Sequence, residues 1–188
     1  VGVRICMDPS VRPPTLQACR SVFAQRFEGR IQILIGIDRW NGARAVVDQL
    51  IQESPSHVAV TTLDLGYSTS QRNGVLYPSS YGGALRTILS YAANSRHVTY
   101  LDDDNFYAPE HIASMLAAIA GKSWAFALRN FVDAKSDRIL CADTWESVGP
   151  GRGVYRTAHG GFVDAHCFFL DKLACPEVFP ECPTPPYP

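Results

Sequence analysis

Several features that would assign this protein to a common class are absent from its sequence. None of its six cysteines belongs to a Cys-x-x-Cys pair, which argues against a zinc ribbon and against a thioredoxin-like motif. No apolar run is long enough to span a bilayer, and the opening residues lack the pattern of a signal peptide. The formal net charge is only -1, so the composition predicts no nucleic-acid partner. We therefore expect a cytoplasmic protein without a transmembrane segment.

What the sequence does contain is a regular alternation of apolar strands and amphipathic helices. The predicted strands are Val1–Met7, Ile31–Ile37, Val58–Leu63, Val98–Leu101 and Trp124–Val132. The predicted helices run from Thr15 to Gly29, from Ala43 to Glu53, around Leu85–Ala92 and onward from Pro109. This order predicts an α/β fold with a mostly parallel sheet flanked by helices.

The C-terminal half has a different pattern. It lacks clear helices after residue 133, and Phe162–Leu170 is typical of a further strand, so we expect additional strands beside the parallel sheet. The 188 residues are enough for one domain with a substantial core. We expect that domain to span residues 1–175 and to be followed by a proline-rich tail, 176–188.

Acidic side chains follow two of the predicted buried strands. Asp38 comes directly after Ile31–Ile37, and Asp102, Asp103 and Asp104 come directly after Val98–Leu101. Neighbouring carboxylates repel one another, whereas a bound divalent cation makes their ionised forms favourable. Because parallel strands end at the same sheet edge, we expect both acidic positions to lie there, where α/β folds bind ligands.

Three other interpretations of the aspartates exist. The three aspartates are compatible with a solvated polar turn before the next helix. A phosphotransferase of the haloacid-dehalogenase type would need Thr or Val after Asp-x-Asp-x, but Asn105 and Phe106 follow Asp104. A nucleotidyltransferase would share the sheet and the acids, but it usually has a Gly-rich loop after its first strand, and MDPSVRPP has none. The turn and the nucleotidyltransferase remain open.

Four stretches resemble the inverting family-2 glycosyltransferases of the GT-A fold. They are VRICMDPSVRPPTLQACRSVFAQRF, IQILIGIDRWNG, VTYLDDDNFYAPEHI and GGFVDAHCFFLDK. The resemblance covers nearly the whole chain and is most specific in the third stretch. It implies a nucleotide-binding part at 1–105 and an acceptor-side part at 106–175. It also implies transfer of a sugar from a nucleotide-sugar donor of the UDP type to a hydroxyl group, with inversion. The acceptor and the oligomeric state stay open.

The resemblance also implies roles for individual residues. Asp38 would contact the base, Asp103 the ribose, and Asp104 a Mn²⁺ or Mg²⁺ ion bound to the diphosphate. Asp102 would share the sugar-nucleotide contacts with Asp103 or the metal with Asp104. Pro9 would replace the aromatic residue that often stacks on the base in this family.

The general base of this family has no clear counterpart. Glu177 and Glu181 do not match its motif, so Glu146 and Asp164 are the remaining weak candidates. A nucleotide-sugar-binding domain with little transferase activity is therefore an alternative. His159 and His166 are candidates for the metal shell or for an acceptor contact, and the alternative is that each is a structural histidine with a hydrogen bond inside the protein. Trp145 is a candidate for either an acceptor platform or the core. Arg129, inside a predicted strand, needs an acidic partner.

Overall fold

The computed structural model describes residues 1–7, 14–38, 43–69 and 83–176 of the protein. Its main sheet has six strands in the order β3-β2-β1-β4-β10-β5. The strands are β1 (Gly2–Met7), β2 (Ile31–Ile37), β3 (Val58–Asp64), β4 (His97–Asp102), β5 (Trp124–Phe126) and β10 (Phe168–Asp171). The pairs among β1 to β4 are parallel, whereas β10 lies antiparallel between β4 and β5. The predicted fold class, a mostly parallel sheet with extra strands from the C-terminal half, is confirmed.

Helices and short hairpins complete the described structure. The helices are α1 (Pro14–Phe23), α2 (Ala43–Glu53), α3 (Gly83–Ala92), α4 (His111–Ile119) and the single turn α5 (Arg156–His159). Two small antiparallel pairs lie outside the main sheet, β6 (Asn130–Val132) with β7 (Ile139–Ala142) and β8 (Gly149–Pro150) with β9 (Gly161–Phe162). Among the described residues, none of the helices combines the length and apolar character needed to cross a bilayer.

The core lies on both faces of the sheet because β1 and β2 are apolar almost throughout. On one face, Val3 and Ile5 pack with α1, α2 and the start of α4. On the other face, Leu34 and Val98 pack with Leu89 of α3. The sheet is therefore the middle of three layers, and its strand ends are the positions left for a site.

Helix α1 ends at Phe23 and not near Gly29 as predicted. The side chain of Gln25 stops the helix. Its Nε2 donates to the carbonyl oxygens of Ser21 and Ala108, and its Oε1 accepts the N–H of Ile112. These bonds join the chain after α1 to the segment before α4, so Phe27 and Gly29 follow in irregular structure.

Two predicted strands are interrupted. The segment Trp124–Val132 forms β5 and β6, with residues 127–129 outside both, and Phe162–Leu170 is broken by a 3₁₀ turn at Ala165–Cys167. Helix α4 begins at His111, two residues after Pro109. Ile51 of α2 and Ile88 of α3 are 50% and 38% exposed. The two strand interruptions contain Arg129 and His166, which belong to the candidate site.

Candidate functional site

The two acidic positions lie at the same edge of the sheet, as predicted. Strand β1 pairs with both β2 and β4, and Cys6 is level with Gly36 on one side and with Asp102 on the other. Asp38 and Asp103 therefore each follow directly after strands that end at this edge. The C-terminal residues Asp164 and His166 reach the same place from the turn before β10.

Asp38 is buried at this edge. Its Oδ1 accepts the backbone N–H of Thr69 at 3.0 Å, which ties the end of β2 to the chain that follows β3. Its role in base recognition stays a prediction. Pro9 lies outside the described residues, so its predicted contact is a prediction as well.

The three consecutive aspartates have three different environments. Asp103 is buried, whereas the side chain of Asp102 is 28% exposed. Asp104 is exposed, and its Oδ1 accepts a hydrogen bond from Asn105 Nδ2 at 3.1 Å. A turn in which all three carboxylates are solvated is therefore wrong for this chain.

Asp102 lies between two cationic side chains. Arg86 Nη2 donates to its Oδ1 at 2.6 Å, and His166 Nδ1 lies 3.4 Å from its Oδ2. Burial alone would raise the pKa of Asp102, but the contacts with His166 and Arg86 outweigh it and lower that pKa to about 2. The carboxylate is therefore ionised at neutral pH.

One group among the described residues has the geometry to hold a metal ion. One ligand atom each from Asp102, Asp164 and His166 lies within 4.8 Å of the others. His166 Nδ1 is 3.2 Å from Asp164 Oδ1, yet it makes no well-aligned hydrogen bond to either carboxylate. Two carboxylates and an imidazole are a donor set that Mn²⁺ accepts and that Mg²⁺ tolerates with added waters. Asp104 is not in this group, and its predicted part in metal binding stays a prediction.

The carboxylates of Asp102 and Asp164 determine the charge state of His166. Burial alone would lower the pKa of His166, but Asp102 and Asp164 outweigh it and raise that pKa to about 12. A protonated imidazole thus supplies positive charge between the two carboxylates. A histidine binds a metal ion through a neutral imidazole, so a divalent cation would bind here by displacing that proton.

Arg129 links the group of Asp102, Asp164 and His166, here named the metal-type group, to the rest of the C-terminal half. Its Nε donates to Asp143 at 2.8 Å, its Nη1 to Asp164 at 2.6 Å and its Nη2 to Glu146. The Arg129 side chain is only 17% exposed and that of Asp143 is fully buried. Arg129 therefore has three acidic partners where the sequence predicted at least one. Two of them, Glu146 and Asp164, are the weak candidates for the general base, and both bind the same guanidinium.

Asp143 also shapes the loop that carries Glu146. Its carboxylate accepts the backbone N–H groups of Trp145, Glu146 and Ser147, each at 2.9 Å. Sequence reasoning did not single out Asp143. The usable signal was its position two residues before a Trp-Glu-Ser segment, where an aspartate commonly accepts N–H bonds from the turn that follows.

Comparison with known proteins identifies the fold. TarS of S. aureus aligns with a TM-score of 0.62 and 12% identity, over 92% of this chain and 28% of TarS. TarS 1–349 in complex with UDP aligns with a TM-score of 0.60 and 11% identity, over 94% of this chain and 48% of TarS 1–349. The mannosyltransferase PcManGT from Pyrobaculum calidifontis, in complex with GDP-Man and Mn²⁺, aligns with a TM-score of 0.59 and 14% identity, over 94% of this chain and 46% of PcManGT.

These likenesses show the fold, which this chain shares with solved glycosyltransferase structures. The chain spans less than half of the length of each of these neighbours. No family model and no curated protein matches the chain.

Proposed function

We propose that this chain is a domain of a metal-dependent, inverting family-2 glycosyltransferase with a GT-A fold that binds a nucleotide-sugar donor. The observation that carries the proposal is the meeting of Asp38, Asp102, Asp164 and His166 at one sheet edge, in a fold shared with a mannosyltransferase that binds GDP-Man and Mn²⁺. In the proposal, residues 1–105 bind the nucleotide and residues 106–175 face the acceptor.

Each residue at the edge has a proposed task. Asp38 and Asp103, both buried, would fix the base and the ribose by accepting hydrogen bonds. Asp102 and Asp104 would hold Mn²⁺ or Mg²⁺, with Asp164 and His166 completing the set around Asp102. When bound, the ion would stabilise the negative charge on the departing nucleoside diphosphate. Arg86 would keep Asp102 ionised and oriented toward that position.

The identity of the general base limits the expected activity. Glu146 and Asp164 both pair with Arg129. Burial alone would raise the pKa of Asp164, but the contacts with His166 and Arg129 outweigh it and lower that pKa. Efficient general-base catalysis needs a pKa nearer the working pH. We therefore expect the chain to bind a nucleotide sugar and to transfer it slowly unless another residue acts as the base, and a binding domain with weak activity is the second candidate.

A thermal-shift screen with and without Mn²⁺ tests the proposal. UDP, GDP, UDP-GlcNAc and GDP-Man are the probes, and inorganic pyrophosphate is the control. A ligand at about 100 times its Kd adds about 2.7 kcal/mol, which raises Tm by roughly 5–11 °C in a domain of this size. We expect such a shift for at least one nucleotide, and only when Mn²⁺ is present. No shift with any nucleotide, or an equal shift with pyrophosphate, would contradict the proposal.

A further inference from the structure

Trp145 is an exposed indole on a firmly held backbone. Its residue surface is 67% exposed, so the alternative that it belongs to the core is wrong. Its backbone N–H donates to Asp143 Oδ1 at 2.9 Å, and its backbone carbonyl oxygen accepts the N–H of Val154 at 2.8 Å. A large aromatic surface on an ordered loop offers a flat apolar face on which a ligand ring can stack.

The neighbouring loop is built to approach Trp145 closely. Gly153 has a φ of 72°, and a Cβ atom at this position would lie 2.6 Å from the carbonyl oxygen of Trp145 and 3.2 Å from that of Glu146. Only glycine allows this contact. The close approach brings the Tyr155 hydroxyl to 3.5 Å from Glu146 Oε1, while the Tyr155 ring packs edge-on against Phe162.

Glu146, the next residue in the chain after Trp145, and Tyr155, which contacts Glu146, carry polar groups that match the chemistry of a sugar ring. Glu146 is partly exposed, and Arg129 fixes one of its oxygens while the other faces the Tyr155 hydroxyl. A pyranose presents C–H groups on one face, which stack on an aromatic ring, and hydroxyl groups at its edge, which bind carboxylate and phenol oxygens. A lipid chain carries no hydrogen-bond donor for the Glu146 oxygen that faces Tyr155.

From these contacts we infer that Trp145, Glu146 and Tyr155 form a binding site for a sugar acceptor, with the ring stacked on the indole and a hydroxyl group bound to Glu146. The inference rests on the proposed function and names its acceptor class. Arg129 connects the two sites, since its guanidinium contacts both Glu146 and Asp164 of the metal-type group. Arg129 thus lies between an acceptor hydroxyl at Glu146 and the proposed donor site.

Saturation-transfer NMR with methyl glycosides tests the site without any need for catalysis. The probes are the methyl α- and β-glycosides of glucose, galactose, mannose and N-acetylglucosamine, and 1,6-hexanediol is the control for nonspecific apolar contact. We expect ring protons of at least one glycoside to be saturated by the wild-type protein. Trp145→Ala should weaken that binding about tenfold or more, and Trp145→Phe should retain part of it.

Tyr91→Ala is the matched control variant, because Tyr91 is also an exposed aromatic residue, 62% exposed, but lies on α3. Its glycoside binding should equal that of the wild type. Absence of glycoside binding by the wild type, equal binding by Trp145→Ala, or an equal response to hexanediol would each overturn the inference.

Nucleotide binding measured on the same samples separates the two proposals. Trp145→Ala should bind a nucleoside diphosphate with Mn²⁺ as the wild type does, which would support an acceptor site distinct from the donor site. If the wild type binds glycosides but no nucleotide under any condition, the proposed function fails, and with it the role of this site as an acceptor site.

Discussion

Replacement of Arg129 by Met should strongly destabilise the protein. Arg129 is the shared partner of Asp143, Glu146 and Asp164, and its own side chain is only 17% exposed. Removing one partner of a buried ion pair typically costs about 3–5 kcal/mol, because the other charge stays buried without compensation. Asp143 keeps its three backbone N–H bonds and the other two carboxylates are partly exposed, so we expect the lower end, about 3 kcal/mol.

For a domain of this size, about 3 kcal/mol corresponds to a fall in Tm of roughly 6–12 °C. Arg20→Met is the matched control, since Arg20 makes a bidentate pair with Glu53 but is 49% exposed. An exposed pair contributes about 0–1 kcal/mol, so its Tm should fall by at most roughly 4 °C. Scanning calorimetry at pH 7 gives both values. If Arg129→Met melts within about 2 °C of the wild type, Arg129 does not hold these loops together.

Three further predictions concern other parts of the site. Burial, with His166 nearby, lowers the pKa of His111 to about 4, so the folded state loses up to about 3 kcal/mol of stability as pH falls from 6.5 to 4. His111→Phe, which retains the stacking on Tyr107, should flatten that part of the pH–stability curve measured by urea unfolding. Gly153→Ala should lower Tm more than Gly151→Ala, since both glycines have positive φ but only Gly153 would meet a carbonyl oxygen; equal losses would contradict the close approach. Asp104→Ala should abolish Mn²⁺-dependent binding of a nucleoside diphosphate and leave Tm unchanged; retained Mn²⁺ dependence in calorimetry would remove Asp104 from the metal site.

The parts of the fold that depend on local pattern could be predicted from the sequence. Strand β2 and helix α2 lie within their predicted bounds, because a seven-residue run rich in isoleucine and an amphipathic 11-residue segment give clear local signals. The shared edge of Asp38 and Asp102 follows from the parallel order of consecutive strand-helix units. In these cases residues close in the chain carry the decisive interactions.

The parts that depend on distant partners could not be predicted. Gln25 ends α1 through bonds to residues more than 80 positions away. The insertion of β10 antiparallel to β4 depends on a pairing of Thr99 with Phe169 that no local pattern encodes. His166 approaches Asp102 only because a 3₁₀ turn interrupts what otherwise resembles one continuous strand. The grouping of Asp102, Asp164 and His166 therefore could not be predicted from the sequence and is seen only in the folded structure.

Calorimetric titration of the wild-type protein with UDP and with GDP, each with and without Mn²⁺, tests the central claim most directly. We predict that at least one of them binds only when Mn²⁺ is present. Asp102→Asn, which keeps the side-chain shape but removes a charged ligand, should lose at least about tenfold in affinity. Asp48→Asn on the exposed side of α2 should bind as the wild type does. Equal affinity with and without Mn²⁺, or undiminished Mn²⁺-dependent binding by Asp102→Asn, would contradict a metal-assisted donor site at this edge of the sheet.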